Sequence, residues 1–548
     1  FRHTNTCRRI NKMRFTISWL KKFLDTEASL EQIANTLTMT GLEVEDIEDS
    51  ASKLGAFEVA EIIATEQHPD ADKLKVCMVQ TKSETLQIVC GAPNARAGIK
   101  VVLAKIGTII PNGNFKIKQS KIRGVESSGM MCSAEELGIG KASDGIMELP
   151  NEAIIGEPFA KYMGLNDPVI HINITPNRAD ALGVYGIARD LAASGVGTLK
   201  ELQVPAINEK FTTDYSLSVK NNEACPLFAI REIKNLENKE SPAWLKNLLE
   251  NIGVGSISAL VDVTNYISYS FGQPMHAYDA AKIDGGLIVE TLMQDKNFKA
   301  LNEKEYELKN TDIVIRDNNE IHGLAGIIGG ENSSCSDDTS SVILEAAIFD
   351  SNHIAKSGRR VVIDTDSRYR FERNVDQEFT LKALDFATNL ITSICGGDVS
   401  KAVIVGKEKM QERTIDFPVE FLQSRTGIEL HSDEITAILE KLGFKCSVNN
   451  QLVKIIIPSW RYDVSIKEDI VEEIVRIYGY DKLPETPLPS IDTTHIIPRD
   501  QRRISDIKRI FASAGYDEIV TWSFMDSKKA ELFTTLKEEL TLQNPISS

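Results

Sequence analysis

The sequence has few of the residues that build disulfide-stapled or membrane-anchored proteins. Its eight cysteines are scattered over 548 residues, with no C-x-x-C pair and no histidine at metal-binding spacing. This pattern predicts reduced thiols and a cytoplasmic chain, and it argues against a disulfide scaffold or a zinc site. No apolar run approaches the ~18–20 residues that a membrane span requires, so no membrane association is expected.

Positive charge is also scarce overall. The chain carries 62 lysines and arginines against 79 acidic residues, a formal net charge of −17, which taken alone argues against a nucleic-acid partner. The distribution argues the other way, because residues 96–123 contain no acid and seven cations: Arg96, Lys100, Lys105, Lys116, Lys118, Lys121 and Arg123. A local basic surface can steer a polyanion even on an acidic protein.

A chain of this length is too long for one hydrophobic core and predicts roughly three to five domains. The first begins as a small α/β unit. Ser29 and Gln32 have the spacing of a capping box, which predicts a helix with Ile33, Ala34 and Leu37 on its buried face. Gly41 is expected to end this helix.

Residues 56–140 have a different character, with short strands at close spacing that predict a small β-barrel. The stretches HPDADKL (68–74), QIVCGAPN (87–94) and KIRGVESSGMMCS (121–133) resemble the OB-fold tRNA-binding domain shared by several aminoacyl-tRNA synthetases. The resemblance implies that the seven cations contact a phosphate backbone. A plot of log tRNA affinity against log salt concentration would then have a slope no steeper than about −6. The alternative is a generic barrel with a solvated lysine-rich edge.

A second group of candidate residues lies between residues 261 and 279. Thr264 and Asn265 precede an apolar run that ends at a Gly-Gln-Pro step, residues 272–274. This step must turn the chain, because proline neither continues a helix nor donates into a central strand. The turn is expected to present His276 to whatever the Thr264–Asn265 pair faces.

Two later segments are expected to meet this turn. The glycine-rich stretch GLAGIIGG (323–330), which includes Gly326, would let a ligand approach backbone N–H groups. Glu345 is the only charge in VILEAAIF (342–349), and a buried carboxylate is costly unless it is paired or contacts a polar ligand. Taken singly, each feature has an ordinary structural explanation, which for Glu345 is an ion pair with Arg359 or Arg360.

Taken together and in this order, these residues resemble the B3/B4 module of the beta-subunit family of bacterial phenylalanyl-tRNA synthetases. The resemblance covers residues 13–548 and implies an α+β multidomain fold that is truncated at its C-terminus. The implied domains are an N-terminal α/β domain (13–50 with 166–200), an inserted OB-fold tRNA-binding domain (51–165), a B3/B4 editing domain (201–400), a helix-rich B5 domain (401–484) and the truncated start of a class II-like, catalytic-like domain (485–548). Residues 1–12, before Met13, are expected to be a non-native or leader segment.

Four acids in the B5 segment form a candidate metal site. Asp463 precedes a predicted helix, and offsets of three and four residues place Asp469 beside Glu472 and Glu473 on one helix face. Oxygen-only ligands suit Mg²⁺. The alternative is that acids in the first turn interact with the helix dipole, which does not account for Asp463. The resemblance implies a Mg²⁺ ion shared with an alpha subunit.

The resemblance implies a function as well. The beta subunit would assemble with alpha as α₂β₂, bind tRNA-Phe and hydrolyse tyrosine wrongly attached to it, while alpha holds the ATP and phenylalanine site. Glu345 would contact the phenol hydroxyl and the Gly326 region would shape the pocket. Thr264, Asn265 and His276 would position the attacking water and the ribose end, and His276 could act as a base or as a positioning group.

No ATP site is expected in this chain. YRFE (369–372) lacks a later glycine-rich partner, and GIGK (138–141) lacks the first glycine of a phosphate-binding loop. Two further hypotheses remain open at this point. The chain could be a stand-alone tRNA-binding or trans-editing factor, or an inactive fragment of a split gene.

Overall fold

The computed structural model describes residues 12–140, 145–165, 167–485, 487, 497–535, 537–543 and 545. The chain divides into two compact units, Phe1–Pro484 and Glu485–Ser548, each of which is described by itself. The predicted leader segment lies outside the described residues except for Lys12, which already belongs to the first strand.

The first unit opens with a small α/β module. The predicted capping box is confirmed: the Ser29 hydroxyl accepts from the Gln32 N–H at 3.2 Å, and Gln32 Oε1 accepts from the Ser29 N–H at 2.9 Å. Gly41, at φ +89°, follows the end of this helix. The elements are β1 (Lys12–Thr16), α1 (Ile17–Phe23), β2 (Leu24–Asp25), α2 (Leu30–Met39), β3 (Glu43–Glu48) and α3 (Ser50–Leu54).

The next module is dominated by a curved six-stranded sheet. Its elements are β4 (Phe57–Gln67), β5 (Lys75–Gln80), β6 (Thr85–Cys90), β7 (Lys100–Lys105), β8 (Ile109–Ile110), β9 (Phe115–Lys116), β10 (Ser120–Ile122), β11 (Val125–Ser127), β12 (Gly129–Met131), β13 (Glu148–Leu149) and α4 (Phe159–Tyr162). The strand order is β12-β7-β4-β5-β6, with β13 also on β7. The ends of this order approach each other, because the Ser128 N–H donates to the Gln87 carbonyl at 2.9 Å.

After this sheet the chain returns to the first module. The returning elements are β14 (Val169–Asn173), α5 (Val184–Ala193) and β15 (Thr198–Leu199). Strand β14 lies between β1 and β3, antiparallel to both, with Ile170 opposite Phe15 and Ile47. The chain between β3 and β14 is therefore enclosed by two paired parts of one small sheet.

The largest module contains two mixed sheets. Its elements are β16 (Glu209–Phe211), β17 (Ser216–Val219), β18 (Leu227–Lys234), α6 (Ala243–Asn251), α7 (Ala259–Phe271), β19 (Met275–Asp279), β20 (Gly286–Thr291), β21 (Lys296–Lys299), β22 (Glu305–Leu308), β23 (Ile313–Arg316), β24 (Ile321–Leu324), β25 (Ile328–Gly329), β26 (Ser341–Ile348), α8 (Ser351–Val361), α9 (Asp366–Phe371), α10 (Thr380–Cys395), β27 (Asp398–Ser400) and β28 (Val403–Gly406).

The first of these sheets has the order β16-β27-β18-β26-β19, and the second has the order β17-β20-β23-β24-β25. Side chains alternate between the two faces of a strand, so each face of β26 joins a different core. Leu344 packs in the core that contains α7 and α10, whereas Ile343 packs with the second sheet.

The last module of the first unit is a three-stranded sheet covered by helices. Its elements are β29 (Arg413–Pro418), α11 (Val419–Thr426), α12 (Ser432–Lys441), β30 (Lys445–Asn449), β31 (Leu452–Ile457) and α13 (Lys467–Tyr478). Buried arginines join it to α5: Arg476 on α13 donates to Asp190 at 3.0 Å, and Asp190 also accepts from Arg178 at 2.7 Å.

The second unit contains α14 (Arg499–Ser513) and α15 (Ser527–Ala530), and neither helix has a buried residue. Ile504, Ile507 and Ile510 are exposed along α14. None of the helices in the described ranges of the chain combines the length and apolar character needed to cross a membrane.

Candidate functional site

The residues predicted from the glycine turn and the apolar strand meet across two neighbouring strands. His276 on β19 lies directly opposite Glu345 on β26. Both line a cavity of about 220 Å³, together with residues from the glycine-rich segment. The other lining residues are Pro274, Met275, Tyr278, Leu301, Ile315, Gly323, Leu324, Gly326, Ile327, Ile328, Gly329, Ser367 and Phe371.

Glu345 is a buried carboxyl group with no counter-ion among the residues that the structure describes. It is 6% exposed, and burial raises its pKa to about 7, an effect that a hydrogen bond from the Tyr278 hydroxyl partly opposes. The arginine alternative fails in the described part of the chain, because Arg360 instead contacts Asp312 and the exposed Arg359 forms no ion pair with Glu345. Near neutral pH this carboxyl therefore exchanges readily between its acid and its charged form.

His276 is neutral at physiological pH. Burial, together with the nearby His322, lowers its pKa to about 4, and its Nε2 has no hydrogen-bond partner in the described part of the chain. A Cβ added at Gly329 would lie 2.6 Å from His276 Cε1, so only glycine at this position leaves room for the ring. A buried, unpartnered imidazole nitrogen facing a cavity is available to a water molecule or a ligand.

Gly326 forms a fixed wall of the same cavity. Its φ of +65° favours glycine, and an added Cβ would lie 3.0 Å from both Phe349 and Ile354. Its carbonyl accepts from the Ser367 hydroxyl at 3.1 Å. The glycine serves close packing as well as access to the cavity.

The structure does not bring Thr264 and Asn265 to this cavity, and the expectation that they face His276 is corrected. Both lie on α7, which packs against the face of the sheet that carries Ala277, opposite to the face that carries His276. The Thr264 hydroxyl donates to the Val261 carbonyl at 2.7 Å, within its own helix. Alternation along β19 decides this placement, and a role for the pair at the ribose end stays a prediction.

Sequence reasoning missed a polar group behind the cavity. The Tyr278 ring packs edge-on against His276 at 4.5 Å and lies 6.5 Å from His322, whose Nε2 is 2.9 Å from Asp317 Oδ2. Tyr278 follows His276 by two residues, so both side chains lie on one face of the strand. This spacing could have revealed Tyr278 as a member of the site. His322 comes from another sheet and left no comparable signal.

In this chain by itself the four B5 acids are not assembled around a common point, and the Mg²⁺ ion shared with an alpha subunit stays a prediction. No three of the carboxylates of Asp463, Asp469, Glu472 and Glu473 offer ligand oxygens within 4.8 Å of one another. Asp469 caps α13 by accepting from the Ser465 and Ile466 N–H groups, at 2.7 and 2.9 Å, as the helix-dipole alternative expects.

Arginines within the chain neutralise two of these four acids. Arg461 makes paired hydrogen bonds to Asp463 at 2.9 Å and also contacts the buried Glu473, which Arg476 contacts as well. These guanidinium groups hold the pKa of Glu473 well below its usual range, despite burial. A Mg²⁺ ion held here together with an alpha subunit would therefore compete with Arg461 for Asp463 and Glu473.

The seven predicted cations divide into two groups. Three are already satisfied within the chain: Arg96 pairs with Glu148 at 2.8 Å, Lys105 pairs with Glu58 at 2.8 Å, and Lys100 donates to two backbone carbonyls at 2.5 Å. The other four are exposed on the segment from β9 to β11: Lys116, Lys118, Lys121 and Arg123. Lys121 makes only a loose 3.6 Å pair with Glu126, and the exposed Arg123 donates one hydrogen bond, to the Asp70 carbonyl at 3.2 Å.

Comparison with protein families assigns most of the chain to four domain models. The matches are a putative tRNA-binding domain (57–158), a B3/4 domain (224–396), a tRNA synthetase B5 domain (415–480) and a phenylalanyl-tRNA synthetase beta chain CLM domain (483–548). The architecture is thus a multidomain α+β protein with these named domains.

Individual relatives match over nearly the full chain. The phenylalanine–tRNA ligase beta subunit of Rickettsia felis is 56% identical over 98% of this chain and 68% of its own length, and that of Rickettsia bellii is 52% identical over 98% and 70%. A solved N-terminal fragment of the phenylalanyl-tRNA synthetase beta-subunit from Pyrococcus horikoshii shares 12% identity, with a TM-score of 0.38 over 86% of this chain and 100% of the fragment. On the strength of the sequence relatives, this chain belongs to the phenylalanine–tRNA ligase beta-subunit family.

Proposed function

We propose that this chain is the beta subunit of a phenylalanine–tRNA ligase, binding tRNA-Phe and assembling with an alpha subunit as α₂β₂. The identity of 56% to a named beta subunit supports this role. ATP would be used at the alpha-subunit site. The four B5 acids would help hold a Mg²⁺ ion shared with alpha, and this ion would compete with the arginines that pair with Asp463 and Glu473.

The proposed activity of the chain itself is hydrolysis of tyrosine from mischarged tRNA-Phe. The observation that carries it is a buried carboxyl without a counter-ion, Glu345, which faces His276 in a cavity. A site that hydrogen-bonds a substrate hydroxyl can reject the analogue lacking it by roughly 10⁴–10⁵-fold. Glu345 would accept the phenol hydrogen of tyrosine, and phenylalanine would leave the same carboxyl unsatisfied.

Tyr278 leaves one oxygen of Glu345 available for the phenol of the substrate tyrosine. Its hydroxyl donates to Oε2 of Glu345, and no described residue donates to Oε1. One oxygen is therefore anchored by the chain, and the other is open to a second phenol. The arrangement also fixes the rotation of the carboxyl group, which sharpens its preference for a hydroxyl at one position.

His276 is proposed to position water, which attacks the ester carbonyl while the ribose oxygen leaves and takes up a proton. With a pKa of about 4, the neutral imidazole is a weak base at pH 7, so accepting a hydrogen bond suits it better than accepting a proton. Glycines 326 and 329 would keep the space beside it open.

The β4–β13 module is proposed to be an OB-fold that binds tRNA. The hydrogen bond between Ser128 and Gln87, which links the two ends of the strand order, supports a closed barrel. The exposed cations on β9–β11 would contact phosphates. The proposed domain limits remain 13–50 with 166–200, 51–165, 201–400 and 401–484, followed by the start of a class II-like domain at 485–548.

The test is deacylation of tyrosyl-tRNA-Phe by the chain with and without alpha. Glu345→Ala should lose tyrosine clearance while phenylalanine charging by the complex stays near normal. The matched control is Glu412→Ala, which removes an exposed glutamate far from β26 in sequence. Unchanged clearance in Glu345→Ala would remove Glu345 from the role, and clearance without alpha would favour a stand-alone editing factor.

A further inference from the structure

A second and larger cavity lies where three modules of the first unit meet. Its volume is about 450 Å³, and it shares no lining residue with the Glu345 cavity. Arg189 comes from α5, Phe271 and Phe379 from the ends of α7 and the start of α10, and Trp460 from the loop after β31. None of these residues has a part in the proposed editing chemistry.

Arg189 is a buried guanidinium without a hydrogen bond. It is 9% exposed and stacks on Trp460, with its central carbon 4.0 Å from the ring centroid. Its Nη1 is buried and has no partner among the described residues. The nearest carboxylate, Asp180, is 3.9 Å away and already accepts two hydrogen bonds from Arg178.

The neighbouring buried arginines differ from Arg189, because each of them is hydrogen-bonded to a carboxylate. Arg178, Arg461 and Arg476 each donate to carboxylates at 2.7–3.0 Å. Leaving buried donors unsatisfied is costly, and natural proteins rarely do so without a ligand or water. A planar guanidinium stacked on an aromatic ring keeps its in-plane N–H groups free, and these match a carboxylate in a paired fashion.

The rest of the cavity narrows the chemistry of the ligand. The rings of Phe271 and Phe379 pack 4.9 Å apart along its wall. Asp376 also lines it, close enough to Arg189 for their charges to interact, although no ion pair within 4.0 Å joins the two in the described part of the chain. The cavity thus combines a guanidinium with an unsatisfied N–H group, a carboxylate and an apolar surface.

We propose that this cavity binds a free α-amino acid with an apolar side chain. Its carboxylate would pair with Arg189, its ammonium group would face Asp376, and its side chain would pack against Phe271 and Phe379. A simple anion such as phosphate fits less well, because it would meet Asp180 and Asp376 and leave the aromatic wall unused. Since the ligand touches three modules, its binding stabilises their packing by mass action.

The experiment is isothermal titration of the full chain with L-phenylalanine and two analogues that each lack one charge. Phenethylamine lacks the carboxylate and 3-phenylpropionate lacks the ammonium group, and both should bind at least tenfold more weakly. Arg189→Gln should lose at least tenfold in affinity for L-phenylalanine. Arg425→Gln is the matched control, since Arg425 also stacks on an aromatic ring, Phe421, but is exposed.

Three further measurements make the result decisive. Glu345→Ala should retain binding, which separates this site from the editing cavity and from the fate of the deacylation proposal. Arg189→Lys keeps the charge without the planar fork and should still lose affinity, with a thermal midpoint that shows the variant is folded. The proposal is overturned if no amino acid binds saturably, if both Arg189 variants bind as wild type, or if inorganic phosphate binds as tightly as L-phenylalanine.

Discussion

Tyr278 donates its hydroxyl hydrogen to Glu345, and both side chains are buried on one face of the β18–β26–β19 sheet. The chain therefore supplies its own phenol to the carboxyl proposed to recognise a substrate phenol. The groups around Glu345 are few: His276 and Tyr278 on β19, Cys225 before β18, and His322 on β24 behind Tyr278. None of them is a permanent charge.

Tyr278→Phe should shift the pH dependence of tyrosine clearance. In the wild type, the hydrogen bond from Tyr278 lowers the pKa of Glu345. Removing the Tyr278 hydroxyl therefore raises that pKa above about 7. Because a phenol donates best to the charged carboxylate, clearance should fall at neutral pH and recover toward higher pH, with a midpoint moved by on the order of one pH unit. The measurement is a pH profile of tyrosyl-tRNA-Phe hydrolysis.

Tyr215→Phe is the matched control for this shift, because its hydroxyl donates to the Ala280 carbonyl, at 2.7 Å, rather than to Glu345. Its profile should follow wild type. An unmoved profile in Tyr278→Phe would show that the buried phenol does not tune Glu345.

Gly329→Ala should reduce clearance without a large loss of stability. The new methyl group would lie 2.6 Å from His276 Cε1, so the imidazole must move. We expect clearance to fall about tenfold or more, the loss that a small displacement of a positioning group can cause. Gly255→Ala, which meets no atom within 4 Å, is the control, and equal deacylation rates in the two variants would contradict the proposed role of His276.

The salt dependence of tRNA binding should be shallower than the full basic stretch predicts. Four exposed cations give a log–log slope no steeper than about −4, against about −6 for seven. Lys118→Ala should reduce the slope by about one, whereas Lys105→Ala should leave it unchanged, because Lys105 already pairs with Glu58. Equal effects of the two substitutions in a salt titration would argue against this division.

Arg461→Leu should destabilise the first unit strongly. The change leaves Glu473 buried with only Arg476 to neutralise it and leaves Asp463 without its partner, which costs about 3–5 kcal/mol. Urea unfolding of the variant measures the loss. Arg425→Leu removes an exposed pair with Glu468 and should cost no more than about 1 kcal/mol.

Removal of divalent metal should leave the isolated chain unchanged. Arginines already satisfy Asp463 and Glu473, so EDTA is expected to leave the thermal unfolding midpoint where it was. A clear drop, restored by Mg²⁺, would show that the B5 acids bind the ion without the alpha subunit.

Local sequence patterns were enough to predict several secondary-structure elements, including the turn and the strand that carry the candidate site. The capping box at Ser29, the turn at residues 272–274 and the apolar strand around Glu345 each depend on near neighbours in sequence. The meeting of His276, Gly326 and Glu345 came from a family resemblance. No sequence pattern indicated that arginines would pair with Asp463 and Glu473.

The sequence by itself determined the order of modules, the strand that holds Glu345 and the family to which the chain belongs. Only the tertiary structure decided that Thr264 and Asn265 lie behind the sheet and that Tyr278 occupies one oxygen of Glu345. It also decided that Nη1 of Arg189 has no hydrogen-bond partner among the described residues. The physical reason is that strand alternation and helix propensity act over a few residues. Charge pairing and cavity shape depend on elements hundreds of residues apart, which meet only when the chain folds.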